Sequence, residues 1–271
     1  MIFIFAFVPE SLFNHKWLSQ DFLEKYELFS SFYFQDVNII ISRVLLFIII
    51  LILIFFLYAV FLHFRRKILI KHNNYLISIE YGDIFKKNNC KRIINFDECF
   101  TTQIGDQTAD INPQSVCGQY LKSHPELNMQ QLIAKAAVKQ AKKKSEYQHK
   151  QRYDSGIIVP NGDDLLMAFA KLDKNGKGRF FSRDEYLECL NLLWQEIEKY
   201  YSEKDVCVPI LGAGTTAFDG GSGASISKQE LLDMMILSYR LSSHKIKSPH
   251  KLCIICKRSS DFSINYISAY K

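Results

Sequence analysis

Three short stretches carry residue types suited to a phosphorylated, amine-bearing ligand. In "YGDIF", Asp83 follows an apolar run and stands beside a glycine, so its carboxylate can accept from an exocyclic amine. "INPQSVCGQY" offers a turn of small residues at Ser115, Val116, Cys117 and Gly118. "VCVPILGAGTTAF" runs from an apolar strand into Leu211, Gly212, Ala213, Gly214, Thr215 and Thr216. Small residues there leave backbone N–H groups open, and successive N–H groups in a turn make an anion nest. The two Thr hydroxyls add donors. The loop is not a P-loop, because no Gly-Lys-Ser/Thr follows. It is not a dinucleotide fingerprint either, because the next helix starts only near Ser227. A strand-to-helix connection with glycines for packing is the alternative. For catalysis, Asp97 and Glu98, just after "RIINF", are the acids nominated as a general base, and solvated loop acids are their bland counterpart.

Other chemistry-bearing stretches read as structural. "DKNGKGRFFSRD" places Asp173, Asn175 and Gly178 as in a calcium loop, but Lys177 occupies a ligand position and Asp184 replaces the bidentate Glu. Asn175-Gly176 is a hairpin-turn dipeptide. Cys253 and Cys256 form a C-x-x-C inside "KLCIICK", a buried-strand pattern with no second pair at zinc spacing. No metal ligand set is assigned. The segment Lys135 to Arg152 has seven bases and one acid. It reads as a solvated helix face with a charged linker, against contact with anionic lipid or nucleic acid.

The elements that must position these residues are legible. "YLISIEY" and "KRIINF" read as strands, followed by a long loop from Asp97 to Pro125 of the length that is usually functional. Asn128 to Lys144 reads as a helix, and "YDSGIIVP" and "DDLLMAFAKL" as strands. Ser182 with Glu185, and Ser227 with Glu230, open two capped helices. The strands "VCVPIL" and "KLCIIC" follow them. Alternating strands and helices predict a mixed α/β sheet with helices on its faces.

The chain has 271 residues and a net charge of +6. Val44 to Leu62 is an unbroken apolar run, about 28 Å long as a helix, enough to cross a bilayer. Arg65, Arg66, Lys67 and Lys71 follow it, while the segment before it is acidic on balance, so the C-terminal side is expected in the cytoplasm. The predicted organisation is an apolar and interfacial segment over 1–38, a transmembrane helix over 39–63, a basic linker over 64–73 and a ligand-binding domain over 74–271. Residues 1–8 read as the remnant of a first membrane helix, giving a hairpin, or as an interfacial anchor.

At these residues the sequence resembles the macro domain. "GDIF" is similar to the family's G-D-I-T, whose Asp receives the adenine amine and whose Ile is carried here by Ile84. "RIINFD" resembles its V-N-A strand, which makes Asn95 a ligand residue. "SVCG" is similar to the first phosphate loop and "PILGAGTTAF" to the second, with Phe218 as the aromatic that follows. The region before "SVCG" is longer than in catalytic members and lacks their glycine run, which argues against hydrolysis of ADP-ribose esters.

Membrane helix and macro-like domain together resemble the effector of Thoeris-type anti-phage defence. The resemblance implies a bacterial cell-membrane protein with no cofactor and no nucleic-acid partner. Its ligand would be an ADP-ribose derivative, histidine-linked as the effector family suggests, made by a TIR-domain partner. On binding, the chain would form a homo-oligomer and disrupt the lipid bilayer. A membrane-tethered ADP-ribosyl hydrolase is the alternative.

Overall fold

The computed structural model describes residues 17, 34–180, 182–214, 216–218, 226–259 and 262–270. The chain divides into two compact units, Met1–Arg65 and Arg66–Lys271. In the first, helix α1 spans Phe34–Phe64, and its stretch Val37–Phe64 is long and apolar enough to cross a membrane. Its apolar side chains, among them Ile52, Phe55 and Phe61, are exposed along the helix. Near its start, Trp17 donates its backbone N–H to Asn38 Oδ1 at 2.8 Å and its ring N–H to Ser42 Oγ at 2.9 Å. Of the expected hairpin, the partner segment over residues 1–8 lies outside the described residues.

The second unit holds one mixed sheet. Its strands are β1 (Lys67–His72), β2 (Tyr75–Tyr81), β3 (Cys90–Asp97), β4 (Ile158–Asn161), β5 (Asp164–Leu172), β6 (Gly178–Phe180), β7 (Asp205–Pro209), β8 (Ala217–Phe218) and β9 (Leu252–Cys256). The order is β1-β2-β9-β7-β3-β5-β6-β8, with β4 also on β5. Strands β2, β9, β7, β3 and β5 run parallel, while β1 and β4 are antiparallel to their neighbours. Parallel strands bury both faces, which is why "LLMAF" and "LCIIC" read as continuous apolar runs. One face packs helices α4 (Arg183–Tyr200) and α5 (Lys228–Leu241) around Trp194, Leu193 and Leu232. The other packs α2 (Val116–Ser123) and α3 (Met129–Ala136) around Phe96, Tyr120 and Val159. The mixed α/β sheet with flanking helices is as expected.

Three local expectations are corrected. The basic linker over 64–73 is mostly strand: β1 zips onto β2 in register from Lys67↔Glu80 to His72↔Tyr75, with Ile68 and Ile70 buried. The loop assigned to Asp97–Pro125 contains α2, capped by Ser115. The helix expected to reach Lys144 stops at Ala136, where Ala137 turns left-handed at φ 50°. Beyond it the backbone bonds elsewhere, Ala141 N–H to Arg152 O and Ser145 N–H to Lys150 O, so tertiary pairing overrides good helix propensity. Cys253 and Cys256 fall three apart on one strand, hence on opposite faces, and all seven cysteines are free thiols.

Candidate functional site

The C-terminal ends of β2, β9, β7 and β3 share one edge of the sheet, and a groove of about 500 Å³ runs along it. In open α/β sheets ligands bind outside such carboxyl ends. At the β2 end, Asp83 caps the short 3-10 turn Ile84–Lys86: its Oδ1 accepts from Phe85 N–H at 3.0 Å. That bond fixes the carboxylate while leaving its other oxygen free for a ligand.

At the β3 end, Ser115 caps α2. Its Oγ accepts from Gly118 N–H at 2.9 Å and donates to Asn112 O at 2.7 Å. Asn112 Oδ1 in turn accepts from Gln114 N–H at 2.8 Å. Gly118 N–H is therefore spent on the cap, while the N–H groups of Val116 and Cys117 have no acceptor within the helix. Gly118 is also a packing glycine, because a Cβ there would lie 2.2 Å from Asn112 O.

At the β7 end the chain turns at Gly212, whose φ is +83°. A Cβ on Gly212 would lie 2.7 Å from the ring of Phe218. That ring stacks on Phe180 at 5.7 Å and meets Tyr186 edge-on at 5.5 Å. Leu211 is buried, with its carbonyl accepting from Tyr186 O–H at 3.0 Å and its N–H directed at Met235 Sδ at 3.4 Å. The loop is thus clamped from behind and presents Gly212, Ala213, Gly214 and Thr216 to the groove.

The family described as "Thoeris protein ThsA, Macro domain" matches residues 77–257. The chain belongs to the Thoeris ThsA macro-domain family. The Thoeris protein ThsA of Bacillus amyloliquefaciens (strain Y2) is 29% identical over 213 residues, covering 75% of this chain and 69% of that protein. Among solved structures, the Oceanobacillus iheyensis macrodomain with ADP is similar at 10% identity and a TM-score of 0.43, covering 72% of this chain and 90% of that one. The macrodomain of Thermus aquaticus DarG is similar at 14% identity and a TM-score of 0.38, covering 68% and 98%.

Within this ThsA macro domain the sequence-predicted residues divide. Asp83, Ile84, Asn95, Ser115, Val116, Gly212, Ala213, Gly214 and Thr216 line the groove together. Thr215 lies outside the described residues. Four lie elsewhere: Cys117, buried in α2, lines the adjoining cavity, Gly118 is buried under α2, Leu211 is a core anchor, and Phe218 is the support behind Gly212. Residues that sequence reasoning missed also line it: Asn112, Gln114 and Gln119, and Lys228, Lys257, Arg258 and Ser259 at the end of β9 and start of α5. The polar Asn112–Gln114 pair lay in the unassigned loop. The β9 residues carry no motif, and only the sheet order brings them there.

A second cavity of about 490 Å³ continues from Asn95, Ser115 and Thr216 toward Asp97, Asp106 and Asp110. Asp97 is buried, with Oδ1 accepting from Cys99 N–H at 2.8 Å and Thr101 N–H at 3.2 Å. Burial pushes its pKa up, the hydrogen bonds from Thr101 and Cys99 pull it down, and adjacent Glu98 adds to the rise. Glu98 is wholly engaged: Oε1 accepts from Ser145 O–H at 2.5 Å and Leu172 N–H at 3.1 Å, and Oε2 pairs with Arg152 at 3.0 Å.

Proposed function

We propose that this chain is a membrane effector of bacterial anti-phage defence that senses an ADP-ribose-derived signal through its macro domain. The observation that carries the proposal is the groove. It gathers a fixed carboxylate at Asp83, an open helix start at Ser115–Val116 and a clamped small-residue loop at Gly212–Thr216 along one sheet edge. The carboxylate receives the adenine amine, the two loops hold the diphosphate through backbone N–H groups, and Asn95 faces the remaining ribose. The signal, with histidine-linked ADP-ribose the form the resemblance suggests, comes from a TIR-domain partner. Ligand binding favours a self-associated state to the extent that this state binds the ligand more tightly. Assembly gathers the membrane helices at the bacterial cell membrane, with the macro domain in the cytoplasm, and disrupts the bilayer. The exposed apolar length of α1 supports the membrane part.

We further propose that the domain binds without hydrolysing. The two acids nominated as a base serve as anchors of the long loop, Asp97 through backbone N–H groups and Glu98 through Ser145, Leu172 and Arg152. Calorimetric titration of the full chain in neutral-detergent micelles with ADP-ribose and its amino-acid-linked derivatives tests the sensing role. Asp83→Ala is expected to weaken binding about tenfold or more, the loss of one charge-assisted hydrogen bond in a desolvated site. Absence of binding by every derivative, or an unchanged affinity in Asp83→Ala, sinks the assignment. Release of free ADP-ribose from an ester substrate, abolished by Asp97→Asn, moves the chain to the hydrolase reading.

A further inference from the structure

Beyond the Asp83 end, the groove opens into a shallower cavity of about 360 Å³ lined by Arg66, Tyr81, Gly82, Cys256, Lys257 and Arg258. Gly82, Lys257 and Arg258 line both spaces, so the two are continuous. Three of its six walls are cations and none is a carboxylate. Burial pushes the Cys256 thiol up to about 12, so the sulfur adds no negative charge.

Neighbouring bases show what is unusual here. Lys67 and Lys87 both pair with Glu80. Among the described residues, Arg66, Lys257 and Arg258 have no such acidic partner. Like charges converging without a counterion are unfavourable unless an anion joins them.

The walls are also held in place. The Arg258 guanidinium lies 5.0 Å from the centroid of the Tyr81 ring, a cation–π contact. That ring meets Phe262 edge-on at 6.0 Å, and its hydroxyl accepts from Ile264 N–H at 3.1 Å. Arg66 O accepts from Tyr81 N–H at 3.0 Å, and Cys256 O accepts from Gly82 N–H at 3.1 Å. Two cations are therefore tied to the end of the β1–β2 ladder and the third follows β9 directly.

We propose that this cavity is a phosphate subsite that takes a phosphomonoester dianion. Two guanidinium forks and an ammonium supply charge and paired donors matched to a tetrahedral oxyanion better than to a single planar carboxylate. Lys257 and Arg258 border the groove as well, but Arg66 lines the shallower cavity and not the groove, so the cluster extends past the groove that takes the diphosphate and serves an additional phosphate. One source is a phosphate carried on the adenosine side of the nucleotide, which rests on the groove reading proposed above. The other is the headgroup of an anionic lipid, since Arg66 stands two residues after Phe64, where α1 ends.

The experiment titrates the full chain in neutral-detergent micelles with two pairs of probes. One pair is ADP-ribose and ADP-ribose 2′-phosphate; the other is dihexanoyl phosphatidylcholine and dihexanoyl phosphatidic acid. In at least one pair, the phosphomonoester is expected to bind about tenfold tighter, with the advantage shrinking as salt rises. Arg66→Gln removes that advantage at unchanged ADP-ribose affinity and unchanged thermal unfolding, and Arg66→Lys restores most of it. The pair that responds names the source. Equal affinities within both pairs, or an advantage that survives Arg66→Gln, overturns the subsite. If ADP-ribose itself fails to bind while phosphatidic acid binds in an Arg66-dependent way, the nucleotide reading of the groove falls and the phosphate subsite stands.

Discussion

Asp97 sits where β3 ends and the long loop begins, buried, with one oxygen taken by the N–H groups of Cys99 and Thr101. Burial raises its pKa above the ordinary value of 3.8, so the native chain holds this proton at a pH where the unfolded chain has lost it. Asp97 therefore favours the fold at low pH, and that contribution is lost as pH rises through the raised value. Asn at this position keeps the acceptor and removes the charge. Asp97→Asn is thus expected to leave the fold intact and to match or exceed wild-type stability at neutral pH, by up to about 1 kcal/mol. The difference should narrow on acidification. Melting temperatures of both proteins between about pH 4 and pH 8 check this; a variant that fails to fold at any pH contradicts it.

Among the elements, the β7–Gly212 turn binds packing to site geometry. Its φ of +83° and the ring of Phe218 behind it exclude a side chain twice over. Gly212→Ala is expected to cost about 1–3 kcal/mol, from conformation and overpacking together. Phe218→Leu in the same chain should recover the overpacking part, so the two losses fall short of additive. Denaturant unfolding of the single and double variants measures the coupling. The same turn shows what local sequence can carry. Gly212, Ala213 and Gly214 stood out by type, as did Asp83 and Ser115, and the fold does bring their neighbourhoods together. Phe218 was placed on the ligand side because nothing local tells which face of a two-residue strand is covered. Helix α2 was missed because it has only eight residues, with Gly118 inside it, too short for a 3.6-residue period to register. Lys257 and Arg258 were missed for another reason: their position depends on β9 pairing with β2 and β7, contacts about 50 to 175 residues apart in sequence.

For the whole molecule, the division at Arg65/Arg66 gives each unit its own interior contacts. Residues 66–271 expressed alone should unfold in one cooperative thermal transition and fractionate without membranes, while the full chain fractionates with them. Broad, non-cooperative melting of the shortened chain would show that the division is only geometric. Sheet order adds a constraint in time. Among the described residues β2 hydrogen-bonds to β1 and β9, so the ladder that carries Asp83 joins the rest of the sheet only once β9 has been inserted between β2 and β7, and until then Ile84 packing on Cys90 and Cys207 is what links the two parts. At translation rates of about 5–20 residues per second, roughly 10 to 35 s separate the synthesis of β2 from that of β9. Throughout that interval the apolar span has already been made, while the floor between the two halves of the groove is missing. The complete groove is therefore among the last features of the fold to exist, and a nascent chain passes most of its synthesis with the site open on one side.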